Sequence, residues 1–243
     1  MDPKGKVALI TGGARIGQAV AQALAGRGCD IALTYRGSRD AAETAADFAR
    51  TAGVRALVIR ADATDEGQVR AAVHDTAGQL GRLDILVNMA STYVRTPNPS
   101  AAEWDAAFAA NARGAFLFSI HAAPIMKSGG GGRIVNTSDW LAISGRPHYP
   151  GYTPYFASKA AVTALTESMA LDLAPDILVN AIAPGPILPP PDLTADEDRE
   201  VLAATPLARW GGAAEIAKAA LFLIETDFVT GESIRVDGGR HLA

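Results

Sequence analysis

Val7-Ala-Leu-Ile-Thr11 is an unbroken apolar run that passes through Thr11-Gly-Gly-Ala-Arg-Ile-Gly17 into an alanine-rich stretch. An apolar run without alternation marks a strand buried on both faces. Such a strand needs helices above and below it and parallel neighbours beside it. The same alternation continues along the chain. Further strands are expected at 30–35, 54–60, 83–88, 133–138, 177–182 and 233–237. Helices are expected near 16–27, 39–52, 65–80, 101–126, 153–174 and 213–225. Gly26 and Gly28 end the first helix, and Pro175 follows the one from 153. Ser100 and Glu103 are spaced as a capping box.

The implied architecture is a doubly wound α/β sheet in a single domain over 1–243, with no internal repeat and no linker. Prolines at 184, 186, 189, 190 and 191 forbid regular structure there. The acidic stretch Asp192–Glu200 follows, with Thr194 and Glu197 placed for a second capping box. This region, about 184–210, is either a surface helix after a stiff loop or a lid. It leaves the carboxyl end of a strand, where ligands of such sheets bind.

Composition narrows the function classes. The net charge is −4 with no basic run, which argues against a nucleic-acid surface. Hydrophobic residues make up 49%, more than a disordered chain carries. Cys29, the only cysteine, cannot form an intrachain disulfide and suits the core. The histidines at 74, 121, 148 and 241 lack metal-ligand spacing, so no metal site is expected. No apolar run reaches the roughly 18 residues of a membrane helix, and Met1–Lys6 leads straight into the first strand without a signal peptide. A soluble cytoplasmic protein with a small-molecule substrate, no membrane and no nucleic-acid partner is expected.

Gly12, Gly13 and Gly17 let backbone approach a pyrophosphate at a helix amino terminus, or simply make a tight turn. The end of the second strand should select the cofactor. An Asp or Glu usually holds the NAD ribose there. Arg36 and Ser38 stand instead, and a guanidinium with a hydroxyl suits the 2′-phosphate of NADP or NADPH. Asp62 could accept from an adenine amino group or cap the next helix.

Tyr155 and Lys159 are four apart and share one helix face. An ammonium beside a phenol favours the phenolate, so the pair can give and take a proton near neutral pH. The bland alternative is a half-buried tyrosine beside a solvated lysine. His148 and Tyr149, in the loop before this helix, could line a pocket or be loop polarity; Trp140 and Trp210 have the same two readings.

Together Thr11-Gly12…Gly17, Asp62, Asn88-Met-Ala90, Asn111, Tyr155…Lys159, Asn180, Pro184-Gly185 and Val236-Asp-Gly-Gly239 resemble the short-chain dehydrogenase/reductase family over nearly the whole chain. The resemblance implies a Rossmann-like sheet of about seven strands in order 3-2-1-4-5-6-7, with helices on both faces. It implies Tyr155 as proton donor and Lys159 as the group that lowers its pKa and holds the nicotinamide ribose. Asn111 would position a relay water. The cofactor would lie on Gly12, Arg15, Ile16, Gly17, Asn88, Ala90 and Ser91. Pro184, Gly185 and backbone near Ile187 would hold its carboxamide end. Family members often pair as homodimers or homotetramers through the long helices, here with Phe116, Phe118, Val162 and Leu165 on their apolar faces; burial inside one subunit explains those residues as well.

Three departures point within the family to the pteridine reductases. Asp139 falls where serine is usual, with Ser138 one residue earlier. Ser91 and Tyr93 match a serine and an aromatic that sandwiches a pterin against the nicotinamide. Arg15 stands for the arginine of Thr-Gly-x-x-x-Arg-x-Gly, in a motif one residue short. Asp139 could instead be a loop acid, with Ser138 in the serine role, and Tyr93 could be packing. The expected activity is NADPH-dependent reduction of a pterin at Arg15, Ser91, Tyr93, Asp139 and Tyr155. The rivals are a 3-oxoacyl or other carbonyl reductase and a non-catalytic NADP(H) sensor.

Overall fold

A computed structural model describes residues 1–144, 149–190 and 193–242. His148, Pro191 and Asp192 lie outside the described residues. Seven strands form one sheet in order β3-β2-β1-β4-β5-β6-β7, every pair parallel. They are β1 Val7–Thr11, β2 Asp30–Tyr35, β3 Ala56–Arg60, β4 Ile85–Asn88, β5 Gly132–Thr137, β6 Ile177–Pro184 and β7 Ser233–Val236. This is the expected doubly wound fold.

The apolar strands serve two cores, one on each face of the sheet. On one face Ala8, Ile10, Ile31, Leu33 and Val135 pack under α1 (Ile16–Ala25), α2 (Arg39–Thr51) and α8 (Ala213–Glu225). On the other, Leu9, Ala32, Leu86 and Ile134 meet α3 (Glu66–Leu80), α5 (Gly114–Ser128) and α6 (Thr153–Leu173). Successive strand residues point to opposite faces, so both must be apolar. Of the four residues considered for an oligomer contact, Phe118 and Val162 are buried within the subunit and Leu165 packs on the core, whereas Phe116 is exposed.

Some boundaries differ from the expectation. β4 begins at Ile85 because Asp84 turns inward, its carboxylate accepting from Val7 N and from the Arg82 guanidinium. β3 begins at Ala56 and β6 runs on to Pro184. The helical stretch from 101 breaks into α4 (Ala101–Phe108), a π-helical turn (Ala109–Arg113) and α5. A π turn inserts one residue per turn and re-aims side chains, commonly at functional sites; here Asn111 is its centre. Both capping boxes are formed, Ser100 with Glu103 and Thr194 with Glu197, the latter starting α7 (Ala195–Ala203).

β1 and β4 are neighbours, while the next strand in sequence after β1 lies on the other side. The crevice at this reversal, outside the carboxyl ends of the strands, is where ligands of such sheets bind. Thr11, Asn88 and Asn136 stand in register across it.

Candidate active site

The turn after β1 is fixed from three sides. Thr11 Oγ1 accepts from Met89 N and Ala90 N at 2.9 and 3.0 Å, and Gly13 N donates to Thr34 O. Gly12 has φ +76°, and a Cβ there would come within 3.2 Å of Ala90. A Cβ on Gly17 would lie 2.1 Å from the Gly12 carbonyl oxygen. Only glycine permits this close approach. Arg15, the residue before α1, holds φ +52° and makes no side-chain cap, so a side chain does not occupy the helix amino end. Such a terminus attracts an anion. These features fit a dinucleotide pyrophosphate. Ile16 lies partly buried in the first turn. The Arg15 guanidinium points to Pro189 O at 3.5 Å, toward the proline loop.

Arg36 and Ser38 are both exposed at the end of β2. Asp62 accepts from Thr64 N and Oγ1 through Oδ1, which holds its carboxyl below the usual range; Asp65, not Asp62, caps α3. The Asn88 side chain turns into the protein, donating to Asn136, Ser119 and Ala115, so only its backbone faces the crevice side of Thr11. Pro184 O accepts from Trp140 N, and Gly185 N donates to Val236 O. Ile187 is buried, its carbonyl taken by Gly212 N. Trp210 donates from Nε1 to Asp198 of α7 at 2.8 Å, so α7 is tied to the chain before α8.

The proton-handling groups meet where β5 ends against α6. The Tyr155 hydroxyl donates to Asp139 Oδ2 at 2.8 Å, while Asp139 Oδ1 accepts from Leu141 N. Ser138 turns the other way, 2.6 Å from Thr163 Oγ1 and bonded to Lys159 O. Asp139, not Ser138, is therefore beside the tyrosine. Lys159 Nζ donates to Thr137 O at 2.9 Å and lies 5.9 Å from the Tyr155 ring centre. Asn111 binds Thr92 through N–H and C=O and donates to Ser158 Oγ. Its side chain is thus engaged with the loop after β4 and with α6. Tyr93, 54% exposed, stacks on Tyr152 at 4.7 Å and meets Tyr155 edge-on at 4.8 Å. Ser91 is exposed beside it.

Tyr155 is pushed well up, by burial first and then by the charge and hydrogen bond of Asp139. Burial lowers Lys159 to about 8, with Asp139 opposing. The adjacent carboxylate stabilises the neutral phenol.

Two residues of the site went unremarked in the sequence. Tyr152 continues an i, i+3 series of aromatics from Tyr149 to Tyr155, a signal that was available. Arg240 follows the closing glycines and carried none.

A family model described as enoyl-(acyl carrier protein) reductase matches residues 13–241. The 3-oxoacyl-[acyl-carrier-protein] reductase of Staphylococcus aureus is 36% identical over 248 residues, 98% of both chains. Among solved structures, an NADPH-dependent 3-quinuclidinone reductase from Rhodotorula rubra superposes with a TM-score of 0.92 at 29% identity, over 100% of this chain and 93% of its own. A 7α-hydroxysteroid dehydrogenase complexed with NADH and 7-oxo glycochenodeoxycholic acid gives 0.91 at 34%, over 98% and 94%. The chain belongs to the short-chain dehydrogenase/reductase family and is an oxidoreductase. No helix of the described residues is long and apolar enough to cross a membrane.

The Lys159 shift has a stability consequence in the ligand-free protein. Below pH 8 the folded and unfolded chains both carry the charge, and burying it costs stability. Between about 8 and 10.5 the folded chain binds fewer protons than the unfolded, so stability rises with pH and the cost vanishes above 10.5. Lys159→Met is expected to gain on the order of 2 kcal/mol at pH 7, with the gain shrinking toward pH 10. Urea unfolding at a series of pH values measures this; a gain that grows with pH would contradict it.

Proposed function

We propose that the chain is an NADPH-dependent reductase of a pterin-like heterocycle, with Tyr155 as proton donor. The hydrogen bond from Tyr155 to Asp139 carries the reading. A serine in that place is neutral and can donate to a substrate oxygen. A carboxylate only accepts while ionised, and it keeps the phenol protonated. Tyr155 is thereby held in the protonated form that the donor in a reduction must start from. The same carboxylate can accept from the amino and ring N–H groups of a pterin, and charge-assisted bonds of this kind are the strong ones. Tyr93, with one face on Tyr152, offers a ring on which a flat substrate can stack.

The bound cofactor supplies the hydride. Gly12, Gly17 and the first turn of α1 would hold its pyrophosphate, and Lys159 its nicotinamide ribose. Backbone at Ala90 and from Pro184 to Ile187 would line the nicotinamide end. Proton delivery from Tyr155 matters most as charge develops on the acceptor atom. The sensor alternative is disfavoured because the chain carries Tyr155, Lys159 and Asn111 together, each with a hydrogen-bonded side chain.

The rival is a ketone substrate, favoured by the 3-oxoacyl and quinuclidinone reductase names of the relatives. NADPH oxidation with dihydrobiopterin, dihydrofolate and acetoacetyl thioesters separates the two. Turnover of the pterins is expected, with Tyr155→Phe reducing kcat at least about a hundredfold. Asp139→Ser should lower kcat/KM for the pterin about tenfold or more while sparing any ketone activity. Reduction of thioesters alone by the wild type would discard the pterin.

Preference for NADPH is part of the same proposal. Arg36→Ala should weaken NADPH binding about tenfold, leaving NADH within about twofold. Equal loss for both cofactors, in fluorescence titrations, would remove Arg36 from the 2′-phosphate.

We also propose assembly into dimers or tetramers through the α4–α5 face, where Trp104 and Phe116 are 40% and 41% exposed. Trp104 also stacks on Phe108 at 4.8 Å, and an exposed aromatic cluster is more typical of an interface than of free surface. Sedimentation velocity should give a species larger than one chain, and Phe116→Glu should shift it toward the monomer; a wild-type monomer at micromolar concentration would reject assembly.

A further inference from the structure

Arg240 is a buried guanidinium that the chemistry above does not use. It is 8% exposed, and among the described residues no carboxylate lies within ion-pair distance of it. Burying an arginine without a counter-ion is costly, so its bonds must be worth keeping. All of them go to segments that enclose the site. Nη1 donates to Val201 O at 2.8 Å and Thr205 Oγ1 at 3.3 Å, at the end of the lid helix α7. Nη2 donates to the Tyr149 hydroxyl at 2.7 Å, ahead of α6. The guanidinium carbon sits 5.9 Å from the centre of the Trp140 ring, next to Asp139, within reach for a cation–π contact.

We infer that Arg240 is a positioning residue that fastens the lid to the wall of the substrate pocket. About one turn earlier in α7, Asp198 has its own tie, to Trp210. Arg240 therefore governs the end that runs into Thr205. The backbone supports this placement: Leu207 N donates to Gly238 O, which locks the chain before Arg240 against the chain after α7. From that anchor the planar fork reaches two directions at once, α7 by one nitrogen and Tyr149 by the other. A lysine has one nitrogen and cannot span both. Arg240 touches neither Tyr155 nor the cradle after β1, so its effect should fall on substrate capture and closure rather than on cofactor affinity.

The inference rests on the reductase reading only in its kinetic arm; hydrogen exchange on the whole protein, with and without NADPH, needs no substrate. In Arg240→Met and Arg240→Lys, amides of 201–207 and 149–152 should exchange about tenfold faster or more, and about 20 mM guanidinium should slow them again in Arg240→Ala. KM for whichever substrate the wild type reduces should rise about tenfold, with kcat and the NADPH Kd within about threefold. Faster exchange confined to 237–242, or an unchanged KM, would make Arg240 a local anchor of the C-terminal segment and overturn the inference. So would loss of NADPH affinity in step with KM. Should the Arg240 variants fail to fold, Tyr149→Phe removes one acceptor from a partly exposed ring. It should speed exchange at 149–152 and raise KM about threefold, and no change in either would overturn the inference equally.

Discussion

The seam between the end of β5 and helix α6 carries the site. Lys159 Nζ binds Thr137 O from one side of the strand end, and Ser138 Oγ binds Lys159 O and Thr163 from the other. With these made, the next residue, Asp139, can only turn toward Tyr155. Deeper in, Asn136 donates to Thr166 and accepts from Asn88, tying α6, β5 and β4 together. In a dry interior such a network is strong when its members are satisfied, and it specifies one register of helix against sheet. The position of the reacting phenol is thus a consequence of strand-end packing more than of any local preference in the loop.

The electrostatics of that seam differ from a simple lysine–tyrosine pair. Burial raises the tyrosine and lowers the lysine, and Asp139 holds the phenolic proton. A raised pKa makes the phenol a weaker acid, and the hydrogen bond to Asp139 fixes where its proton sits. The aromatic pair of Tyr93 and Tyr152 adds a flat wall, joined to the loop before α6 by Thr96 N to Gly151 O.

Much of this was legible from the residues in order. Two-faced apolar strands alternating with helices imply a parallel doubly wound sheet, because a strand buried on both sides has no other way to satisfy its faces. The glycine turn, the Tyr155–Lys159 spacing and both capping boxes depend on neighbours within a few residues. Such patterns survive in a linear reading. The π turn around Asn111 did not, since helical sequence alone gives no sign of one extra residue forced in by the contact with Thr92 and Ser158.

Sequence by itself determined the fold class and, through family likeness, the strand order. Tertiary structure decided which of Ser138 and Asp139 faces the tyrosine, because that depends on whether α6 offers a backbone carbonyl and a threonine to the first of them. It also set the surroundings of Tyr155, since burial and the distance of an ammonium are properties of packing. Asn88 shows the same limit: an asparagine at a strand end reads as a ligand contact, and only the presence of Ser119 and Asn136 beneath it turns the side chain inward. Arg240 shows it most plainly. Nothing in Gly238-Gly239-Arg240 announces a buried cation, and its partners at 140, 149, 201 and 205 come together only when the lid folds back on the C-terminal strand.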